Sequence, residues 1–262
     1  MLALEDCDSR DPNLGGKAAG LVRLREGGLD APKGFVISAG FYREALAAIG
    51  RNPEKLDDLQ RRLATAPLAP ELIVQIESQL ARLVPPLIVR SSATCEDQPD
   101  KPAPGIFLSI AGVEPNGLHD AIRAVWASLL SETARFYFGE AALKGAAMAV
   151  LVQELQQGLH GTLYTRDPSD PQAATLLIET ERAGCDPAFS LVRRDDLAFT
   201  PAWFPIAPEP IARAGLVAET LFGVPVDVEW VATGSRVWVV QARPIVFRNA
   251  PGEKFPDDAL AF

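Results

Sequence analysis

The chain is 262 residues long, 48% apolar and 23% charged, with 25 lysines and arginines against 34 aspartates and glutamates for a net charge of −9. This balance suits a folded globular protein of one large or two small domains and excludes disordered and collagen-like chains. No apolar run approaches the ~20 residues of a bilayer span, and no dense Lys/Arg run supplies the basic stripe that nucleic acid requires. The N-terminus shows no basic-then-apolar leader, so the expected location is cytoplasmic. Cys7, Cys95 and Cys185 are odd in number and widely spaced, which argues against a disulfide framework or a zinc knuckle.

Taken in order, Asn13 is placed to cap a helix from Gly15 to Glu26, with Leu14, Leu21 and Leu24 as apolar positions and Gly27-Gly28 as the stop. Phe35-Val36-Ile37 reads as a short strand, and Ser38 is placed to cap a helix through Ile49. Residues 53–83 read as two helices parted by Pro67 and Pro70. Leu87-Ile88-Val89 is a buried strand ending in Arg90, and 95–105 is a loop. Gly117–Leu130 has apolar residues at helical spacing (Leu118, Ile122, Val125, Trp126, Leu129). Ala147–Val152 reads as a central strand, followed by candidates at His160–Thr165 and Thr175–Ile178, a helix at Ile211–Leu221, and a hairpin of Val226–Val231 with Val237–Ala242. Residues 248–262 read as a loose tail. Strands and helices intermingle without strict alternation, which predicts an α+β fold with a mixed sheet.

Several of these pieces carry residues suited to phosphate chemistry. Gly15-Gly16-Lys17 sets a lysine beside two glycines at a helix start, where free N–H groups and the positive helix end favour an anion. The spacing is not that of a Walker A loop, and an exposed helix-start lysine is the plainer alternative. Arg90, followed by Ser91-Ser92-Ala93-Thr94, offers a guanidinium fork beside hydroxyls; the alternative is an ion pair with Glu96 or Asp97. On the hairpin, Asp227 and Glu229 share one strand face, and Gln241 and Arg243 share one face of the other. A two-residue turn would separate the two sets. A three-residue loop, Ala232-Thr233-Gly234, would bring Glu229 and Gln241 to one side, where hard oxygens suit Mg²⁺. Otherwise this is a solvated sheet face. Val152-Gln153-Glu154-Leu155 ends an apolar strand and offers backbone groups to a base edge, or simply turns. His119 and His160 lack metal-spaced or Ser/Asp partners and read as structural. Neither Cys95 nor Cys185 has an evident base beside it.

Together these segments resemble, in order, the pyruvate phosphate dikinase and phosphoenolpyruvate synthase family. Leu14-Gly15-Gly16-Lys17-Ala18-Ala19-Gly20-Leu21 and Pro32-Lys33-Gly34-Phe35-Val36-Ile37 resemble its opening, and Val89-Arg90-Ser91-Ser92-Ala93-Thr94-Cys95-Glu96-Asp97 its phosphate motif. Val125-Trp126-Ala127-Ser128-Leu129, Val152-Gln153-Glu154 and Tyr164-Thr165-Arg166-Asp167-Pro168 follow in family order. Val226-Asp227-Val228-Glu229-Trp230 and Val240-Gln241-Ala242-Arg243-Pro244-Ile245 resemble its closing signature.

The resemblance implies an ATP-grasp nucleotide-binding domain over residues 1–246, with an N lobe of about 1–145 and a C lobe of about 146–246 whose mixed sheets clasp the nucleotide, and a tail at 247–262. It implies ATP and Mg²⁺ as cofactors. Lys17 and Arg90 would contact the phosphates, and Gln153 with Glu154 the adenine. Glu229 and Gln241 would bind the metal, with Asp227 in support, and Arg243 would face the transferred phosphoryl group. Lys17, Arg90 and Arg243 are thus the expected catalytic residues. Gly105 matches the family's glycine loop, although Ala103-Pro104-Gly105-Ile106-Phe107-Leu108 is shorter than the usual Ala-Gly-Gln-x-x-Thr segment and sets Ile106 in the threonine's place. Arg182-Ala183-Gly184-Cys185-Asp186 replaces the family's Gly-Leu-Gly-Glu stretch.

In this family a histidine on a swivelling domain accepts the phosphoryl group, and neither His119 nor His160 matches its Thr-Cys-His motif. The expected function is therefore an ATP-dependent phosphotransferase component that acts on a histidine of a separate partner. The alternatives are a non-catalytic ATP-binding or assembly module, and an ATP-grasp enzyme that activates a small-molecule acceptor. No membrane or nucleic-acid partner is expected.

Overall fold

A computed structural model describes residues 1–50, 56–98, 101–102, 105–143, 145–181, 186–200 and 204–247. Cys185 and the predicted tail from residue 248 lie outside the described residues, as do parts of the 95–105 loop and of the 182–186 stretch. In chain order the elements are β1 (Leu2–Ala3), α1 (Gly15–Glu26), β2 (Gly34–Ile37), α2 (Ala39–Ala48), α3 (Leu56–Thr65), α4 (Pro70–Leu80) and β3 (Leu87–Ala93). A two-stranded ribbon, β4 (Asp97–Gln98) and β5 (Lys101–Pro102), precedes β6 (Ser109–Val113), α5 (Leu118–Ser128), α6 (Glu132–Phe138), α7 (Glu140–Leu143) and β7 (Met148–Glu154). The rest comprises β8 (Leu159–Tyr164), β9 (Thr175–Glu181), β10 (Ala188–Arg193), β11 (Phe199–Thr200), α8 (Pro208–Phe222), β12 (Val226–Thr233) and β13 (Arg236–Pro244). The architecture is α+β. Among the described residues no helix is long and apolar enough to cross a membrane.

The chain forms two compact units: Met1–His160 with Glu229–Ala242, and Gly161–Val228 with the chain from Arg243 on. The first contains a five-stranded sheet of order β1-β2-β7-β3-β6. All four pairings in it are antiparallel, where the sequence predicted a mixed sheet. The exposure of the outer strand β6, whose Ser109, Ala111 and Gly112 face solvent, fits this arrangement: antiparallel sheets tolerate a wet face, whereas parallel sheets are covered on both. The predicted central strand is central. Met148–Gln153 of β7 is buried throughout between β2 and β3. Helices α1, α2 and α5 pack on this sheet. The helical stripe read from α5 is the buried one: Leu118, Ile122, Val125, Trp126 and Leu129 are all in the core. Trp126 meets Tyr42 edge to face at 6.2 Å.

In the second unit, β10 pairs antiparallel with β9 from Thr180↔Ala188 to Thr175↔Arg193, β11 adds at the edge, and α8 packs on both longer strands. Gly215 of α8 has no room for a side chain, since a Cβ there would stand 2.0 Å from a Leu163 methyl. The chain after β8 is tied to the start of β12, because Thr165 N–H donates to Val226 O and Val226 N–H to Thr165 Oγ1, both at 2.9 Å. The full strand order is β11-β10-β9-β8-β12-β13. The hairpin turns at Gly234-Ser235, with Gly234 at φ +61°, so Ala232 and Thr233 extend β12 rather than forming the predicted loop.

Candidate functional site

The first cluster begins where α1 meets β3. Gly15 has φ +67°, and a Cβ there would fall 1.9 Å from the Ser92 carbonyl oxygen, so helix and strand approach at a distance only glycine permits. The helix is held by that same serine. Ser92 Oγ donates to Leu14 O at 2.7 Å and accepts from Ala18 N–H at 2.9 Å, satisfying a first-turn donor from a distant strand. Asn13 does not cap, contrary to the sequence reading. Leu14 holds the N-cap position, and the Asn13 amide bonds Asp11 and Arg43 instead. Ser38 stands at the N-cap of α2 but makes no side-chain cap bond.

This clasp fixes Lys17 one turn into α1. Its Nζ donates to Ser91 Oγ at 3.2 Å and forms an ion pair with Glu96. Glu96 is itself 6% exposed and accepts from Ala93 N–H at 3.1 Å, so its position is set by backbone as well as by charge. Arg90 sits earlier on β3. Its Nη1 donates to Val240 O at 2.7 Å; its Nη2 donates to Gln241 Oε1 at 2.7 Å and to Glu229 Oε2 at 3.0 Å. The ion pair that the sequence left open for Arg90 is therefore with Glu229, while Glu96 serves Lys17. Glu229 and Gln241 converge on one guanidinium even though the turn has two residues, Gly234-Ser235, the case the sequence reading expected to separate them.

Arg90 Nε is buried and has no hydrogen-bond partner, an orphaned donor beside a carboxylate and an amide oxygen. Among the described residues no group of three His, Cys, Asp or Glu side chains is placed to hold a metal ion. Glu229 and Gln241 nevertheless fit Mg²⁺, which takes hard oxygens and usually completes its shell with phosphate oxygens and water rather than an all-protein cage. These two residues would hold it, and bound there it would neutralise phosphate charge.

Gln153 and Glu154 close β7. Gln153 is 1% exposed, and its Nε2 donates to Pro32 O at 3.2 Å. Glu154 accepts from Val84 N–H at 3.1 Å through its side chain and donates its own N–H to Lys33 O at 3.0 Å. Gly105 lies exposed at φ +71° with open space around it, and Phe107 two residues on is anchored by stacking on Phe138 at 5.5 Å.

The second unit holds the remaining pair. Arg243 Nε donates to both Asp227 oxygens, at 3.0 and 2.8 Å, and Asp227 is 8% exposed. Tyr164 shares this neighbourhood. Burial, then the Glu179 and Asp227 carboxylates, push its phenol above the ordinary value against the opposing Arg243 charge, so it stays a neutral donor. Sequence reading assigned no role to Tyr164, nor to Glu96 beyond a possible partnership with Arg90. Burial likewise raises the Cys95 thiol, which keeps its thiolate fraction low. His160 is exposed on β8, and His119 lies in the first turn of α5.

Residues 11–182 match the family described as pyruvate phosphate dikinase, AMP/ATP-binding domain. The prodigiosin synthesizing transferase PigC of Serratia marcescens is 26% identical over 91% of this chain and 32% of its own length. A probable phosphoenolpyruvate synthase of Archaeoglobus fulgidus is 25% identical over 94% of this chain and 41% of its own. A rifampicin phosphotransferase of Streptomyces sp is 28% identical, with 94% of this chain and 36% of the relative covered. The chain thus spans about a third of the length of these curated relatives.

Proposed function

The chain belongs to the pyruvate phosphate dikinase AMP/ATP-binding domain family, and from that premise we propose that it is an ATP-grasp phosphotransferase component that uses Mg-ATP to phosphorylate a histidine on a separate partner domain. The observation that carries this reading is the convergence of Arg90 with Glu229 and Gln241, beside an orphaned guanidinium nitrogen. A phosphate oxygen supplies what that nitrogen lacks.

In this reading residues 1–246 form the ATP-grasp domain. Lys17 and Arg90 bind phosphate oxygens, helped by the positive end of α1 and, from the glycine loop, by Gly105. The adenine lies against Gln153 and Glu154. The Gln153 side chain is engaged by Pro32 O, and the Glu154 side chain and N–H by Val84 N–H and Lys33 O, so backbone groups supply part of that recognition. Glu229 and Gln241 hold Mg²⁺. Asp227 orients Arg243, whose guanidinium faces the transferred phosphoryl group. Phosphoryl transfer asks the protein mainly to position and to neutralise, so cationic side chains and a metal need no nucleophile beside them.

Incubation with Mg-ATP and a candidate partner domain tests the reading. It predicts AMP or ADP together with acid-labile phosphate on a partner histidine. ATP bound but never consumed, with any class of acceptor, would make the chain a binding or assembly module instead. A second reading, transfer to a small molecule, is favoured by the likeness to a rifampicin phosphotransferase and to PigC over more than nine-tenths of the chain. Acid-stable phosphate on a low-molecular-weight product would select it.

A further inference from the structure

The two basic residues at the first cluster are neutralised in different ways. Lys17 pairs with Glu96, a carboxylate that is 6% exposed, pinned by Ala93 N–H, and given no metal or nucleotide role. Arg90 pairs with the two residues that would hold the metal, Glu229 and Gln241. The Glu229 side chain is 38% exposed, so unlike Glu96 it is open to exchange its partner.

We infer that Arg90 competes with a divalent cation for the oxygens of Glu229 and Gln241, and that phosphate relieves the competition by giving Arg90 another partner. A guanidinium within 3.0 Å of both oxygens cannot stay there beside a doubly charged ion without strong repulsion. Arg90 therefore disfavours metal alone, and it disfavours phosphate alone while it is held by Glu229. When both ligands are present, Arg90 turns to phosphate and leaves the two oxygens to the cation. Metal and nucleotide bind with positive coupling, and by linkage each strengthens the other by the same factor. Arg90 is a coupling device in addition to the phosphate contact assigned above. The inference rests on the Mg-ATP reading and extends it to a property of the protein before any phosphate is transferred.

The consequence runs against simple expectation: removing a nucleotide-binding arginine strengthens metal binding. The probe is Mn²⁺ without nucleotide, followed by calorimetry and by the paramagnetic signal of the free ion. Arg90→Met, which keeps much of the side-chain volume, is expected to bind Mn²⁺ about tenfold more tightly than the wild type while losing affinity for Mg-ATP. Adding Glu229→Ala to Arg90→Met is expected to abolish the gain, which separates this site from weak binding elsewhere on an acidic protein. If circular dichroism shows Arg90→Met unfolded, Arg90→Lys serves. Its ammonium has no second nitrogen to hold Val240 O as Arg90 Nη1 does, so it is anchored less firmly against the two oxygens, and it is expected to bind Mn²⁺ several-fold more tightly. Unchanged or weaker Mn²⁺ binding in the folded variant, while the wild type still binds Mg-ATP, overturns the inference alone. Failure of the wild type to bind Mg-ATP overturns the functional reading instead.

Discussion

Glu229 stands in two relations, as the counter-ion of Arg90 and as the carboxylate proposed for Mg²⁺. Replacing it with alanine is expected to abolish Mg²⁺-dependent nucleotide binding. Its partial exposure lets water take over the Arg90 charge, so the fold should lose no more than about 1 kcal/mol. A thermal-shift titration checks both halves. Wild-type melting should rise with Mg-ATP by mass action, and the variant's should not. Cys7 offers a prediction in pH. Burial first, then the Asp11 and Asp6 carboxylates, push its thiol from 9.0 up to about 11. The folded protein holds that proton more tightly than the unfolded chain does. The stabilisation is complete below pH 9 and is lost as pH rises towards 11. Cys7→Ala should flatten the fall in stability over that range in denaturant titrations.

Among elements, the join of α1 to β3 decides where Lys17 and Arg90, the cations proposed to face phosphate, stand. Gly15→Ala places a Cβ into the Ser92 carbonyl at a left-handed φ, and is expected to destabilise by ~3 kcal/mol or more. Because Lys17 and Arg90 flank the join, nucleotide affinity should fall as well. Urea unfolding and calorimetry measure the two effects. Helix α5 and strand β7 were legible from the sequence because their apolar positions repeat with the helical period or run unbroken. Strands β6 and β10 were not. Strand β6 carries glycine and exposed positions, and β10 sets Ser190 on its buried face. Helices α6 and α7, at 7 and 4 residues, are too short to show a period. The cap of α1 escaped for a different reason, since its acceptor comes from Ser92, 74 residues from the donor it serves.

At the scale of the molecule, the chain returns to its first unit after building the second. Glu229–Ala242 is part of the unit that starts at Met1. All three Arg90 acceptors, Glu229, Val240 and Gln241, arrive on that returning segment. A truncation ending at residue 225 therefore removes those acceptors together with the buried Val226, Val228, Trp230 and Val239. The lost burial alone should exceed several kcal/mol, so the fragment should melt far below the full chain and show no Mg-nucleotide shift. An unaltered nucleotide response in the fragment would show that the returning hairpin is dispensable for binding.

By itself the sequence determined the α+β class, the core stripe of α5, the burial of β7 and the family, because each is written in local periodicity or in contiguous motifs. Only the tertiary structure decided which partners the charges take. Arg90 is paired with Glu229 across 139 residues, and Lys17 with Glu96 across 79. Local spacing cannot specify contacts of that separation, because they depend on strand order, register and the return of the chain. The same fold that gathers the proposed metal-binding oxygens also gives them to an arginine, and that pairing is the basis for the coupling inferred between metal and nucleotide.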